Sequence, residues 1–423
     1  MQQAGTNWAG NIAYGSSGLL SPRSVDEVQE IVRAAARVRA LGSRHCFNTI
    51  ADTSGTHISL QHLKRMVRLD RAAGRVTVEG GIRYGDLGPL LDAAGYALHN
   101  LASLPHISVA GACATATHGS GAANGNLATA VTAITFVDAA GELVTLSREA
   151  DGDTFAGAVV NLGGLGVIVA LTLEVQPAFE MRQDVYTDLP LAALAARFDE
   201  IMASGYRVSL FTDWRGDTVN QVWLKRKVDA GDAAAAPSSL PAARPATTNR
   251  HPLDGHDPVN CTGQMGVPGP WYERLPHFRM DFTPSGGEEI QAEYFVAREH
   301  ALAAVDVLRH WGDRLAPLLM VSEVRTVAAD DLWMSPCYRQ PCVAFHFSFE
   351  RNWPALQRLL PGLEAALAPF HPRPHWGKVF TLPAAEVQAR YAKLPAFRAL
   401  LAAHDPGGKF RNAFVDEMVF GEA

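Results

Sequence analysis

A chain of 423 residues is too long for one ordinary domain, and with 48% hydrophobic and 19% charged residues it reads as folded and globular, not disordered or fibrous. Its net charge of −6 arises from interspersed acids and bases with no Lys/Arg block, so no nucleic-acid surface is expected. Residues 1–18 carry no basic segment ahead of an apolar core, and the most apolar stretch, 156–175, is broken by Asn161, Gly163, Gly164, Gly166 and Glu174. Neither a secretory signal nor a membrane span is expected, and the compartment is read as cytoplasmic.

The first element in chain order is an amphipathic helix over 24–40, with Ser24 as N-cap and Glu27 at capping-box spacing. The strand-like run 38–41 then leads into Gly42-Ser43-Arg44-His45-Cys46-Phe47-Asn48. Residues 58–60 and 75–79 alternate like strands, and 84–94 reads as a helix closed by Gly95. A long stretch of small, uncharged residues covers 103–125. A hairpin over 131–146 turns at Ala140-Gly141, and 165–175 is one more strand. This order predicts an α+β architecture, with two small lobes forming one domain over 1–177.

A second α+β domain is expected over 178–423. Its strands are read at 208–212, 221–225, 292–296, 320–326 and 342–349, and its helices at 299–315 and 354–367. The Ala/Pro/Ser-rich segment 230–249 offers nothing to bury and is read as a mobile surface loop. Cys46, Cys113, Cys261, Cys337 and Cys342 follow neither a disulfide framework nor a zinc pattern, so reduced thiols and no metal are expected.

The common nucleotide and hydrolase motifs are missing. Gly119-Ser120-Gly121 is followed by Asn124 where a dinucleotide fingerprint needs its third glycine, and Gly408-Lys409 is followed by Phe410. No G-x-S-x-G or H-E-x-x-H occurs. Gly42 and Ser43, by contrast, bring backbone N–H groups close to whatever binds there, a nest suited to pyrophosphate, with His45 beside it. A tight turn around a buried, hydrogen-bonded histidine has the same sequence signature. The run from Ser103 to Gly121 is both small and apolar, which suits backbone laid against a large flat ligand. In the second half, Gln291/Glu293, Glu323/Arg325 and His346/Ser348 each place two polar groups on one face of a strand. A solvated sheet face explains any one pair; several pairs, with His375-Trp376-Gly377-Lys378 following, point to a polar pocket.

Together these stretches resemble the FAD-linked oxidases of the vanillyl-alcohol-oxidase type, and within them the alditol-oxidising branch. The resemblance starts at Thr6-Asn7-Trp8-Ala9-Gly10-Asn11 and takes in the turn at 42–48. It continues through 102–111, 117–121, 211–215, 222–226, 266–271 and 325–330, and ends at 373–380, so it covers almost the whole chain. It implies a two-lobed FAD-binding domain followed by a substrate (cap) domain, whose C-terminal segment, about 370–423, returns towards the flavin. His45 falls on the family's histidine bonded to the flavin 8α-methyl. Gly42, Ser43, Arg44, Cys46 and Asn48 would line pyrophosphate and ribityl. Ser103, Ser108, Gly111, Thr115, Thr117, His118, Ile168 and His375 would line the rest of the cofactor. The substrate contacts fall on Ser103, Gln291, Glu323, Arg325, His346, Ser348 and Lys378. Two departures, Arg44 with Cys46 and the serine at 348 where relatives can carry threonine, bear on chain-length preference.

The resemblance implies oxidation of a xylitol- or sorbitol-like polyol, with O2 as acceptor and hydrogen peroxide as product; a monomer is expected, though the sequence itself does not give the oligomeric state. Such chemistry holds the carbinol carbon roughly 3–3.5 Å from the hydride acceptor. Arg325 and Lys378 would stabilise developing negative charge, and Glu323 would accept hydrogen bonds from neighbouring hydroxyls. An uncharged polyol with little apolar surface needs several convergent polar side chains. A sugar-lactone oxidase or dehydrogenase is the alternative, since Ala102 sits where relatives tune oxygen access. A flavin-binding protein without turnover would have no need of Glu323, Arg325 and Lys378.

Overall fold

The computed structural model describes residues 4–228, 240, 242–281 and 289–422. The first lobe is a small parallel sheet in the order Gly18–Leu20, Thr56–Ile58, Val38–Ala40. The helix Val25–Ala34 connects its outer strands. Ser24 caps it by accepting the Glu27 amide, while Glu27 accepts the Arg23 amide at 2.7 Å. Val28 and Val32, one turn apart, bury against Val38, Ile58 and Val169. This helix stops at Ala34, short of residue 40. Ala35 turns to extended backbone, and strand pairing of Val38–Ala40 with Thr56–Ile58 overrides the helical propensity of the Ala/Arg run.

The second lobe is antiparallel, ordered Met66–Asp70, Arg75–Glu79, Val167–Glu174, Val131–Val137, Leu143–Ser147. The expected hairpin is present, and Gly141 takes a φ of 78° in its turn. Within 103–125 the chain is not all loop, because Val109–Ala114 is helical and buries Val109, Ala112 and Cys113.

From Glu180 onward a larger sheet forms. Its strands lie side by side in the order Arg244–Pro245, Glu180–Pro190, Thr218–Lys227, Arg207–Thr212, Leu319–Val327, Cys342–Glu350, Glu289–Ala297 and Arg373–Pro374. The strand Glu180–Pro190 and the helix Leu191–Met202 were not expected from the sequence. Polar Gln183, buried between Met181 and Val185, interrupts the apolar alternation of that strand, while Arg182 and Asp184 pair on its other face at 2.8 Å. Phe345, Phe347 and Phe349 join a core with Leu308, Leu356 and Leu360 of the helices Ala301–His310 and Trp353–Leu367. The opposite sheet face is thereby left to His346 and Ser348.

Residues 230–239 and 241 of the expected surface loop lie outside the described residues. The remainder departs from the expectation: Leu240 is buried, and Arg244–Pro245 pairs with Tyr186 and Thr187. Finally the chain crosses back to the first lobe. The Val38 amide donates to the Lys409 carbonyl at 3.0 Å, and the Asn412 amide reaches the carbonyls of Thr49, Ile50 and Asp52.

Candidate active site

The turn that carries His45 is fixed from two directions. Arg44 adopts a left-handed φ of 64°, a conformation that costs a non-glycine residue energy and persists only when its surroundings enforce it. The N-terminal motif does so. Trp8 donates its backbone N–H to the Arg44 carbonyl at 2.8 Å, and Asn7 and Asn11 donate to the carbonyls of Cys46 and Phe47 at 2.9 and 2.8 Å. The Trp8 ring stacks on the His45 imidazole with centroids 5.3 Å apart. From the C-terminal side, the Phe47 N–H donates to Gly377 O, and the Asn48 amide donates to Trp376 O and Lys378 O, each at 2.8 Å.

Register across the large sheet assembles the polar groups. Glu293, His346 and Glu323 lie opposite one another on three adjacent strands, and Gln291 faces Ser348 in the next row. Arg325 donates to Glu293 Oε1 at 2.5 Å and stands 3.5 Å from Glu323 Oε2. His118, from the small-residue run, approaches Glu293 Oε1 with Nε2 at 3.0 Å. His346 Nδ1 lies 3.4 Å from Glu293 Oε2, and its Nε2 lies 3.2 Å from Ser348 Oγ. The turn at 375–379 runs beside this strand, with His375 N–H on Glu293 O and Val379 N–H on Gln291 O, each at 2.9 Å. Lys378 thereby donates its Nζ to Gln291 Oε1.

These two regions face each other across one cavity of about 610 Å³. Gly42, Ser43, Arg44, His45, Cys46, Ser103, Ser108, Gly111, Thr115, Thr117, His118 and His375 line it together with Gln291, Glu323, Arg325, His346, Ser348 and Lys378. Two residues expected at the site lie off its lining. Asn48 is occupied in holding the 376–378 turn, and Ile168 is packed in the second lobe beside Phe136. The alternation with Gln291 placed Glu293 on a polar strand face and the N-terminal motif included Trp8, but neither was given a role of its own, and Arg39 and His277 were not singled out; all four line the cavity. His277 belongs to no periodic pattern. Buried Arg39 donates to Leu162 O and Phe410 O at 2.6 Å each, so it joins parts of the chain far apart in sequence.

Burial and charge set the protonation states. Burial penalises the charge on Glu293 and Glu323, but Arg325 overcomes it, aided by His118 at the first and His277 at the second; both carboxyls are held well below the usual range. Burial also opposes the charge on Arg325, and these two carboxylates restore it and raise its proton affinity. Burial, opposed by Glu293 and reinforced by Arg325, brings Lys378 down to about 8. His45 is lowered to about 4 by burial and then by Lys378, so its imidazole is neutral near pH 7.

The cavity wall fits a flavin nucleotide. Among the described residues, neither ring nitrogen of His45 completes a hydrogen bond of normal geometry, although the Ser43 backbone favours its protonated form. The buried hydroxyls of Ser103 and Ser108 also have no partner among the described residues. A Cβ added at Gly42 or at Gly111 would come within 2.8 Å of Ser108 Oγ, so both glycines keep the wall low enough for a ligand to lie against backbone. The two-lobed α+β unit, the glycine cradle and the polar sheet face together suit a flavin-binding enzyme with a polar substrate pocket.

Comparison with known proteins agrees. A family described as FAD binding domain matches residues 16–147, and one described as D-arabinono-1,4-lactone oxidase matches 288–418. The chain is 47% identical over 425 residues to an alditol oxidase of a Streptomyces species, covering 100% of both chains. It is 30% identical to an L-gulono-1,4-lactone dehydrogenase of Mycobacterium tuberculosis, covering 97% of each. Among solved structures, a solvent-stable cholesterol oxidase superposes with a TM-score of 0.78 at 16% identity, over 99% of this chain and 97% of that one. A xylooligosaccharide oxidase from Myceliophthora thermophila superposes with a TM-score of 0.75 at 14% identity, over 97% and 93%. The chain belongs to the alditol oxidase family, and it is an FAD-dependent oxidoreductase. No helix among the described residues is long and apolar enough to cross a membrane.

Proposed function

We propose that this enzyme oxidises a polyol such as xylitol or sorbitol at a terminal hydroxyl, giving the aldose. The observation that carries this reading is the convergence of Gln291, Glu323, Arg325, His346, Ser348 and Lys378 on one cavity wall. A neutral, hydroxyl-rich substrate needs that density of donors and acceptors, and a steroid or other apolar alcohol does not. Bound FAD would supply the hydride acceptor, with O2 as the oxidant that would restore it and hydrogen peroxide as the reduced product.

Arg325 and Lys378 stabilise negative charge as the hydroxyl loses its proton, and Glu323 accepts hydrogen bonds from adjacent hydroxyls. Ser103 and Ser348 add donors and acceptors that position the chain. We assign residues 1–177 to the FAD-binding domain and 178–423 to the substrate domain, with 370–423 returning to the cofactor side. His45 is assigned as the covalent tether, supported by its neutral imidazole and unpartnered nitrogens at the cavity wall. The reading includes a monomeric cytoplasmic enzyme whose five cysteines stay reduced; all five are free in the structure.

One experiment tests the reaction. Xylitol added under nitrogen should bleach the flavin spectrum, and air should restore it with peroxide. Bleaching by a sugar-1,4-lactone but not by xylitol would transfer the assignment to the lactone chemistry for which the family matching 288–418 is described. A second experiment tests the tether. After acid precipitation the yellow colour should stay with wild-type protein, whereas His45→Ala should release it.

A further inference from the structure

His277 has no place in the catalytic reading, yet it joins two of the substrate contacts that reading assigns. Its Nε2 lies 2.9 Å from Glu323 Oε1. Its backbone N–H donates to the Ser103 carbonyl at 3.0 Å, and the next N–H, from Phe278, donates to the same oxygen at 3.2 Å. Ser103 and Glu323 lie far apart in the chain, one in the small-residue run and one on the large sheet.

Its protonation is fixed by its partners. Burial, then Lys225, lowers His277 to about 3, so it carries one proton. Glu323 is an ionised acceptor, and His277 Nδ1 has no partner among the described residues. The proton therefore sits on Nε2 and is donated to the carboxylate. That bond occupies Oε1 on one side while Arg325 lies 3.5 Å from Oε2, which leaves the carboxylate little rotational freedom.

The segment bearing His277 is itself clamped. Buried Lys225 donates to the carbonyls of Arg274, Leu275 and Pro276 at 2.6, 2.9 and 2.7 Å. Buried Arg207 donates to Leu101 O at 2.9 Å and also to Leu275 O, tying the approach to Ser103 to the approach to His277. The imidazole packs edge-on against Phe211 and Trp223, with centroids 5.6 and 5.1 Å away. Two desolvated cations spent on backbone carbonyls argue for a segment whose position matters.

We propose that His277 is a positioning residue for the substrate: its Nε2–H orients Glu323 to receive the hydroxyls beside the reacting carbon. This rests on the polyol reading above.

The test compares wild type, His277→Phe and His277→Gln by anaerobic flavin reduction over a xylitol series. Phenylalanine keeps the ring packing and loses the donor; glutamine supplies an amide N–H at similar reach. His277→Phe should bind xylitol about tenfold more weakly, the loss of one hydrogen bond to a charged group, with the limiting rate changed less than about threefold. His277→Gln should recover most of the affinity. Unchanged xylitol affinity in His277→Phe, or a glutamine variant no better than the phenylalanine one, overturns the proposal. Should the phenylalanine variant fail to fold, the glutamine variant decides alone: near-wild-type affinity supports the role, and a tenfold loss overturns it. Wild-type enzyme that xylitol does not bleach overturns the polyol reading itself, and this role with it.

Discussion

The side-chain amide of Asn48 donates to the backbone carbonyl of Lys378 at 2.8 Å, tying the turn that bears His45 to the turn that bears Lys378. A second bond from the same amide, to Trp376 O, makes the link bidentate. The two halves of the candidate site are thus registered by an asparagine that does not itself line the cavity, together with the Phe47 N–H on Gly377 O.

Asn48→Ala should therefore act on geometry. Two carbonyls lose their donor, and the cap on the turn Thr49–Ala51 is lost with it. The expected cost is about 1–3 kcal/mol of stability, read as a lower melting temperature. Slower flavin reduction with His45 still intact should accompany it. A variant of wild-type rate and melting point would show that the link is redundant.

Lys378→Met and Arg325→Met should retain flavin but slow its reduction by roughly 10²–10³, the usual cost of one lost donor to developing negative charge. The pH profile separates the two. Lys378 titrates at about 8, so its protonated, donating form is lost as pH rises through that value. The limiting rate in wild type should fall above about pH 8, and Lys378→Met should lose that limb. Stopped-flow reduction under nitrogen measures both. Near-wild-type rates in both variants would move the chemistry to Glu323 or His346.

Ser348→Ala removes the hydroxyl beside His346 Nε2 without touching either cation. Apparent affinity and the preference between five- and six-carbon alditols should change more than the limiting rate. Equal effects on affinity and rate for every substrate would argue against a role in chain-length choice.

Glu293 accepts from Arg325 at 2.5 Å, with His118 Nε2 at 3.0 Å and His346 Nδ1 3.4 Å away. Glu293→Gln leaves the buried Arg325 without its closest counter-charge, and about 3 kcal/mol of stability should be lost. The sign with pH follows from its depressed folded pKa, which Arg325 and His118 hold low against burial. Its contribution is present above the ordinary carboxylate value of 4.5 and is lost as pH falls through the folded value. Acid unfolding below pH 4.5 should therefore be less steep in Glu293→Gln. Urea titrations at pH 7 and in acid would measure this, and parallel curves for both proteins would refute it.

Lys225→Met tests the clamp behind the site. The lysine is fully buried and burial depresses its proton affinity far below normal, yet it satisfies three carbonyls. Removing it should cost about 1–3 kcal/mol for the carbonyls left without a donor, with faster hydrogen exchange at the amides of 277 and 278. Unaltered exchange there would mean that the segment holds without its cation.

Local sequence determined a good deal of this molecule. Strand 75–79, the helix closed by Gly95, and the pairs 291/293, 323/325 and 346/348 follow from periodicity, because side-chain direction along a strand or helix is a local property. The motifs at 6–11, 42–48 and 373–380, read through the resemblance they carry, contain residues that the fold brings to one cavity. What the sequence left open was decided by tertiary structure. Residues 35–40 leave the helix because Thr56–Ile58 is there to pair with Val38–Ala40. Glu293 becomes the centre of the charge network only when sheet register sets it opposite His346 and brings His118 within 3.0 Å. His277 meets Glu323 and Ser103 only because Lys225 and Arg207 hold its segment against the sheet. Such relations join residues tens to hundreds of positions apart, and no local periodicity encodes them.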